Sequence, residues 1–85
     1  MAKTQELPGE TSIIAMQRTE LSSTSLKGAG YCFQEALLEL EFQSGTIYRF
    51  GGVPEATYQE LLQAESKGVY FNHHIRNRFP HTKMS

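Results

Sequence analysis

The side chains best suited to chemistry lie together near the end of the chain, in the segment SKGVYFNHHIRNRFPHTK, residues 66–83. This segment holds four basic residues, three histidines and three aromatic residues, and it contains no acidic residue. Such a set suits contact with the phosphates of a nucleic acid, coordination of a metal ion, or simple packing as a terminal helix. The spacing of these residues and the rest of the chain distinguish among the three.

The histidines do not have the spacing of a metal site. The chain contains no C-x-x-C and no H-E-x-x-H pattern, the arrangements that bring several ligands onto one ion. On a helix His73 and His74 point about 100° apart, so they do not easily share an ion. We therefore expect no metal and no other cofactor, and we expect His73, His74 and His81 at the surface.

No set of residues in the chain defines a catalytic site. There is no aspartate, and the only cysteine, Cys32, has no catalytic signature linking it to a histidine. A cysteine in a predicted strand is more often buried than reactive. Asn72 and Arg76 are four residues apart on a predicted helix, where they could hold a carboxylate or phosphate or, equally, tie the fold together. We expect a protein that is not an enzyme.

Charge divides the chain into two parts although the formal net charge is only −1. Residues 1–65 carry four basic and nine acidic residues, all of them glutamates, which gives −5. Residues 66–85 carry four basic residues and no acidic ones, which gives +4. This division indicates either an anionic partner for the basic part or an attraction between the two parts within one fold.

Size and composition bound the remaining possibilities. Eighty-five residues make at most one domain, which buries roughly 60% of the surface of its unfolded chain. One cysteine excludes an internal disulfide and fits a reducing compartment. No apolar run approaches the roughly 20 residues of a membrane-spanning helix, and the N-terminal sequence lacks the apolar core of a signal peptide. We expect a cytoplasmic monomer that does not contact a membrane.

Three segments have the character of strands. They are residues 24–33, 37–43 and 46–50. The second alternates, with Leu38, Leu40 and Phe42 on one face and glutamates on the other, which is typical of a half-buried strand. The third is rich in β-branched and aromatic residues, as strands prefer.

The turn at Ser44-Gly45 predicts a register between the last two strands. A two-residue hairpin loop there would pair Tyr48 and Phe50 with glutamates of the preceding strand. Tyr48 and Phe50 would then lie on the glutamate face, opposite the core, and Ile47 would join the core. A shift of one residue would exchange the two faces.

Two helices are predicted after the strands. The first has Pro54 at its first position, and Ser66 is placed to cap the second, which Pro80 would end. Each has an apolar stripe at helical spacing, made of Tyr58, Leu61 and Leu62 in the first helix and of Phe71, Ile75 and Phe79 in the second.

The predicted fold class is α+β, a small three-stranded antiparallel β-meander followed by two C-terminal helices. This domain would span residues 22–85, with residues 1–21 as a flexible or weakly docked N-terminal segment.

Four pieces of the chain match the pattern of a known family. They are SS at 22–23, GY at 30–31, LELEFQSGTIYRFGGVP at 38–54 and SKGVYFNHHIRNRFP at 66–80. On these pieces the chain resembles the KTSC domain, named after a segment at the C-terminus of some lysyl-tRNA synthetases. The resemblance implies a single-domain bacterial member without an assigned activity, and it suggests RNA binding. The family's central Tyr-x-Tyr reads Tyr48-Arg49-Phe50 here, so a stacking or packing role is expected rather than one that needs the second hydroxyl.

These observations predict a small binding module. Its C-terminal helix would contact a tRNA-like RNA or another anionic partner. A start of a helix offers backbone N–H groups to a phosphate, and exposed aromatic rings can stack on bases. The helical spacing places Arg76 on the other side of the apolar stripe from Lys67 and Arg78. The candidate site residues are Lys67, Gly68, Tyr70, Asn72, Arg76, Arg78, Tyr48 and Phe50.

Two features leave other interpretations open. The glutamates predicted beside Tyr48 and Phe50 would repel phosphate. Gly68 could instead ease close packing of the helix. The alternative function is a protein-interaction or assembly module that uses its sheet edge or its aromatic face to meet another protein chain.

Overall fold

The protein's structure, a computed structural model, describes residues 18–84. Within them the chain forms five strands and two helices. The strands are β1 (Thr19–Glu20), β2 (Leu26–Cys32), β3 (Leu37–Phe42), β4 (Ile47–Phe50) and β5 (His81–Lys83), and the helices are α1 (Glu55–Gln63) and α2 (Lys67–His74). No helix in this part of the chain is long and apolar enough to cross a membrane.

The described strands form one antiparallel sheet in the order β1-β2-β3-β4-β5. Both helices lie between β4 and β5 in the chain. The α+β class is therefore confirmed. The prediction of three strands is wrong, because β1 and β5 are two further strands, one at each edge of the described sheet. They have two and three residues, which is too few to show an alternating pattern. Residues 1–17 lie outside the described part, so the division at residues 21 and 22 stays a prediction.

β3 supplies the centre of the core, as its alternation predicts. Leu38 and Leu40 are fully buried, and they lie between β2 and β4, opposite the buried residues Phe50 and Ala29 respectively. α1 and α2 cover this face of the sheet with Leu61 and with Phe71. The buried apolar residues are Leu21, Leu26, Ala29, Leu38, Leu40, Phe50, Val53, Leu61 and Ile75.

The hairpin between β3 and β4 has a longer loop than the two residues predicted. The amide of Gly45 donates to the carbonyl of Phe42 at 2.8 Å, and the amide of Phe42 donates to the carbonyl of Thr46 at 2.9 Å. Three residues therefore lie in the loop, and Gly45 has a φ of 95°. This is the arrangement in which a left-handed glycine follows a tight turn.

The extra loop residue shifts the register by one and exchanges the faces of β4. Tyr48 lies opposite Leu40, and Phe50 lies opposite Leu38. The prediction that the two aromatic residues lie beside the glutamates is therefore wrong, because both are on the core side. Ile47 was predicted in the core, and it lies instead opposite Glu41 on the other face.

The opposite face of the sheet is polar and its charges are paired. The carboxylate of Glu39 accepts from Arg18 Nη1 and from Arg49 Nε, each at 2.7 Å. Its side chain is only 8% exposed. Glu41 lies 3.9 Å from Arg18 Nε and 4.0 Å from Lys27 Nζ. Because α2 packs on the other face, these carboxylates are directed away from the helix.

The second helix begins as the sequence predicts but ends early, whereas the prediction of Pro54 at the first position of the first helix is wrong by one residue, because Pro54 is the extended N-cap and α1 begins at Glu55. The Ser66 hydroxyl accepts from the Val69 amide at 3.3 Å, which confirms the predicted N-cap. α2 ends at His74 rather than at Pro80, and Asn77 has a left-handed φ of 64°. Ile75 is fully buried just beyond the helix.

Candidate binding cleft

A cleft of about 500 Å³ lies between α2 and the start of the sheet. Its walls come from four places in the chain: the loop before β2, the hairpin strands β3 and β4, α2 with the turn after it, and β5. Four aromatic rings and Leu26 form the apolar part of its lining, and five polar side chains surround them. The aromatic residues are Phe42, Tyr48, Phe50 and Phe71, and the polar residues are Ser25, Asn72, Arg76, Asn77 and His81.

The four aromatic rings make a continuous floor. Phe71 of α2 meets Phe42 at a centroid distance of 5.3 Å and Phe50 at 5.7 Å, with the ring planes 76° and 73° apart. Tyr48 meets Phe42 at 5.9 Å with the planes 88° apart. Such edge-to-face contacts hold the rings in fixed orientations. Phe50 is 3% exposed, so the half-buried rings of Phe42, Tyr48 and Phe71 supply the accessible surface of the floor.

The polar rim comes from α2 and the segments that follow it. Asn72 is on the last turns of α2, and Arg76 and Asn77 are in the turn where the chain leaves the helix. His81 begins β5, with its ring 5.4 Å from that of Tyr48 and 5.6 Å from that of Phe50. These four polar residues are exposed. The rim therefore offers one guanidinium, two carboxamides and one imidazole around an aromatic surface.

Lys67 and Arg78 do not join Arg76 in the cleft. The Lys67 ammonium donates to the carbonyl of Ala64 at 2.8 Å and so caps the end of α1. Arg78 Nε donates to the carbonyl of His73 at 3.1 Å. Each of these two residues lines a depression beside the cleft, and the depression at Arg78 shares Arg76 with the cleft. Among the basic side chains of residues 18–84, Arg76 is therefore the one that lines the cleft itself.

Tyr70 also lies outside the cleft, where it joins the two helices. Its hydroxyl donates to Glu60 Oε1 of α1 at 2.6 Å, and its ring stacks on that of His74 at 4.4 Å. Burial and the hydrogen bond to the Glu60 carboxylate raise the pKa of Tyr70 to about 12. A phenol that donates to a carboxylate resists deprotonation, because the phenolate would lose the bond and face a like charge.

Gly68 occupies one end of the cleft for a reason of packing. A Cβ atom built on it would lie 2.9 Å from Ser25 Oγ and 3.2 Å from Ser25 Cβ. Real Cβ atoms essentially never approach another atom within 3.0 Å. Glycine thus lets the start of α2 approach the loop that precedes β2.

A second aromatic group lies away from the cleft, at the end of β2. Tyr31 stacks on Tyr58 of α1 at 5.1 Å and meets Phe33 edge-on at 5.3 Å. Its hydroxyl donates to the carbonyl of Val53. Burial and the nearby carboxylate of Glu55 raise the pKa of Tyr31. The contacts of Tyr31 with Tyr58 and Val53 fasten α1 to the sheet. Cys32, next in the chain, is half-buried and is a free thiol.

The cleft brings together five of the eight candidate residues, namely Tyr48, Phe50, Gly68, Asn72 and Arg76. Lys67, Tyr70 and Arg78 lie elsewhere. The sequence pattern predicts a packing role alone for Phe42 and Phe71, and it does not single out Ser25, Asn77 or His81 as site residues. Asn77 could have indicated that the second helix ends before Pro80, because asparagine tolerates the left-handed conformation that often follows the end of a helix. No group of three or more potential metal ligands occurs within residues 18–84.

The fold defines a class of small α+β domains in which two helices are inserted before the last strand of an antiparallel meander. The family model of the KTSC domain matches residues 22–79, and the chain belongs to this family. A KTSC domain protein from Yersinia pestis has a crystal structure that superposes with a TM-score of 0.80 at 35% identity. The match covers 84% of this chain and 100% of that one.

Relatives occur both as small proteins and within a larger enzyme. An uncharacterized protein of Stutzerimonas stutzeri is 46% identical over 57 residues, which cover 67% of this chain and 80% of the relative. A lysine–tRNA ligase of Nostoc is 34% identical over 73 residues, which cover 86% of this chain. The chain spans only 13% of the length of that ligase, so the domain is one part of it.

Proposed function

We propose that this KTSC domain is a small, non-enzymatic module that binds single-stranded RNA through the cleft. One observation carries the proposal: the cleft joins the ring of Tyr48 with the guanidinium of Arg76. Aromatic rings stack on unpaired bases, and a guanidinium binds a phosphate through paired N–H donors. Together they match the two chemical parts of a nucleotide.

The aromatic floor supports the first half of this proposal. Stacking of a base on an aromatic side chain contributes about 1–3 kcal/mol. Phe42, Tyr48 and Phe71 are half-buried, so each keeps some ring surface for a ligand while packing fixes its orientation. A ligand would therefore not have to order these side chains, which lowers the entropic cost of binding.

The charge distribution supports the second half. Within residues 18–84 the guanidinium of Arg76 has no hydrogen bond and no ion pair, and the residue is exposed. The repulsion expected from glutamates beside Tyr48 does not arise, because Glu39 and Glu41 lie on the other face and contact basic residues there. An anion at Arg76 thus meets a cation without a facing carboxylate from β3.

The relatives support RNA rather than another anion. Three cyanobacterial relatives are lysine–tRNA ligases, and their name ties them to a tRNA. A domain that contributes 13% of such an enzyme is well placed to contact its RNA substrate. We extend this context to the present chain and propose a tRNA-like or single-stranded RNA as its partner, in a bacterial cytoplasm.

The experiment is a titration of the full chain with tRNA and with a generic single-stranded RNA at roughly 50 mM and 200 mM salt. We expect binding to both at low salt and weaker binding at high salt, since phosphate contacts release counterions. Arg76→Gln should weaken binding. The matched control is Arg78→Gln, which removes the same charge outside the cleft and should leave binding close to that of the wild type. Absence of binding at low salt would contradict the proposal.

The alternative of a protein-interaction module keeps one of its two surfaces. The aromatic surface is not an open sheet face, because Phe50 is buried and the half-buried Tyr48 lines the cleft, so a protein partner there would have to contact the same rings as RNA. The other surface is β5, the last strand of the described sheet, whose three residues are exposed. A chemical-shift map distinguishes the two functions: RNA should perturb residues of the cleft, whereas self-association should shift β5 amides as the protein concentration rises.

A further inference from the structure

We infer that the cleft holds one unpaired nucleotide at a time, with its base over the aromatic floor and one phosphate at Arg76. This inference rests on the RNA binding proposed above and specifies how many nucleotides the cleft holds. It predicts a site that a free mononucleotide can occupy, and it excludes a groove that follows an RNA backbone over several nucleotides.

The size of the cleft is the first argument. A volume of about 500 Å³ lies within the range of roughly 300–1,000 Å³ that holds one small-molecule ligand. Its floor lies between α2 and the sheet, where the rings of Tyr48 and Phe71 are half-buried, so a ligand ring reaches them from the open side of the cleft. A base that remains stacked within a helix has no free face to offer, and only an unstacked base can make this contact.

The placement of the basic residues is the second argument. Among the described lysines and arginines, Arg76 alone lines the cleft. Lys67 and Arg78 donate to backbone carbonyls and line neighbouring depressions, of which the one at Arg78 also includes Arg76. A protein that tracks a nucleic-acid backbone needs a row of cations, one for each successive phosphate. The cleft instead offers a single guanidinium and therefore fits a single phosphate.

The unpaired amides at the rim are the third argument. Within residues 18–84 the side chains of Asn72 and Asn77 have no hydrogen-bond partner, and the hydroxyl of Ser25 has none either. A carboxamide can donate and accept at once, and the edge of an unpaired base presents donors and acceptors side by side. Phosphate or ribose phosphate alone would leave the aromatic floor unused.

The test is a competition experiment on the full chain. A fluorescently labelled single-stranded RNA is bound first, and each competitor is then added: the four nucleoside 5′-monophosphates, ribose 5-phosphate, inorganic phosphate, and a fully paired RNA duplex. We expect at least one nucleoside monophosphate to displace the labelled RNA completely. Ribose 5-phosphate should be at least about tenfold weaker, because it lacks the stacked base. The duplex should not compete at equal nucleotide concentration.

Two further measurements sharpen the test. For the single-stranded RNA, the logarithm of the binding constant should decrease as the logarithm of the salt concentration increases. The expected slope is about −0.7, the value for one phosphate of a single strand. In NMR spectra the nucleoside monophosphate should shift the side-chain amide signals of Asn72 and Asn77 and the ring signals of Tyr48. Arg76→Gln should weaken the monophosphate and the RNA by a similar factor, and Arg78→Gln should change neither. Folding of both variants is verified by their spectra.

The outcomes separate the inference from the function on which it rests. If RNA binds but no monophosphate competes, or if the salt slope corresponds to three or more phosphates, the single-nucleotide cleft is overturned and RNA binding stands. If inorganic phosphate competes as well as the monophosphates, the base makes no contribution and the inference is again overturned. If RNA does not bind at low salt, both proposals are wrong.

Discussion

Gly68 at the start of α2 and Ser25 before β2 approach each other more closely than any other residue type at position 68 would allow. A Cβ atom on Gly68 would lie 2.9 Å from the Ser25 hydroxyl oxygen. This contact closes one end of the cleft and fixes the distance between the helix and the sheet. A side chain at position 68 would require the Ser25 hydroxyl to rotate and the Ser25 Cβ atom, at 3.2 Å, to give way.

We therefore expect Gly68→Ala to lower the free energy of unfolding by about 1–2 kcal/mol, the usual cost of overpacking. Alanine is the better helix former by roughly 0.5–1 kcal/mol, which offsets part of this loss. Urea denaturation measures the effect. Gly51→Ala is the matched control, because a Cβ atom there meets nothing within 4 Å and should change stability by less than about 0.5 kcal/mol. Equal effects of the two substitutions would contradict the close contact.

Glu39→Gln should destabilise the sheet. The buried carboxylate is bonded to Arg18 and Arg49 at 2.7 Å each, and removing one partner of a buried pair costs up to about 3–5 kcal/mol. Because both arginines keep some exposure, we expect about 2 kcal/mol. Glu41→Gln removes the same charge from longer contacts of 3.9 and 4.0 Å and should cost less than about 1 kcal/mol. Urea denaturation of both variants gives the comparison, and a larger loss for Glu41→Gln would show that the burial of Glu39 is unimportant.

Gly45→Ala should lower the free energy of unfolding by about 1–2 kcal/mol, since a residue with a Cβ atom pays this for a left-handed backbone. The cost comes from the backbone alone, because no atom lies within 4 Å of the position of that Cβ. Gly45→Asn should lose less, as asparagine tolerates positive φ. Thermal unfolding of the three proteins tests this order. Equal stability of the wild type, Gly45→Ala and Gly45→Asn would contradict a left-handed backbone at position 45 and therefore the three-residue loop.

Tyr70 makes stability depend on pH in the alkaline range. Its pKa is raised from 10.0 to about 12 in the folded chain. The stabilisation is therefore complete below pH 10 and is lost as the pH rises through about 12. Tyr70→Phe should lower stability at about pH 8 and flatten the decline above pH 10. A smaller decline should remain, because the pKa of Tyr31 is raised as well. Urea denaturation across this range measures both slopes, and identical slopes would contradict the contact with Glu60.

The sequence predicted the central part of the fold because that part depends on local patterns. The alternation of Leu38, Leu40 and Phe42 identified β3 and its buried face, and Ser66 identified the start of α2. The register of β4 depended instead on the length of one loop. Two and three residues around Gly45 are both compatible with the sequence, yet they place Tyr48 on opposite faces of the sheet.

The candidate site was predictable in some of its residues and not in its shape. Arg76, Asn72 and Tyr48 stand out by type, but their meeting depends on the corrected register and on the early end of α2. The rim residue His81 gave no signal, because it lies on a three-residue strand that only the completed sheet defines. The separation of Lys67 from Arg76 followed from helical geometry, and in the structure Arg76 lines the cleft while Lys67 does not.

The position of β5 has a consequence for the order of folding. The strands of each earlier ladder are joined by a short connection, whereas both helices lie between the paired residues Phe50 and His81. Closing this long loop costs more chain entropy, so the β4–β5 ladder should form late and open first. Amide hydrogens of β5 should then exchange with solvent faster than those of β3. A ligand held against His81 would slow that exchange, because it binds only the closed form.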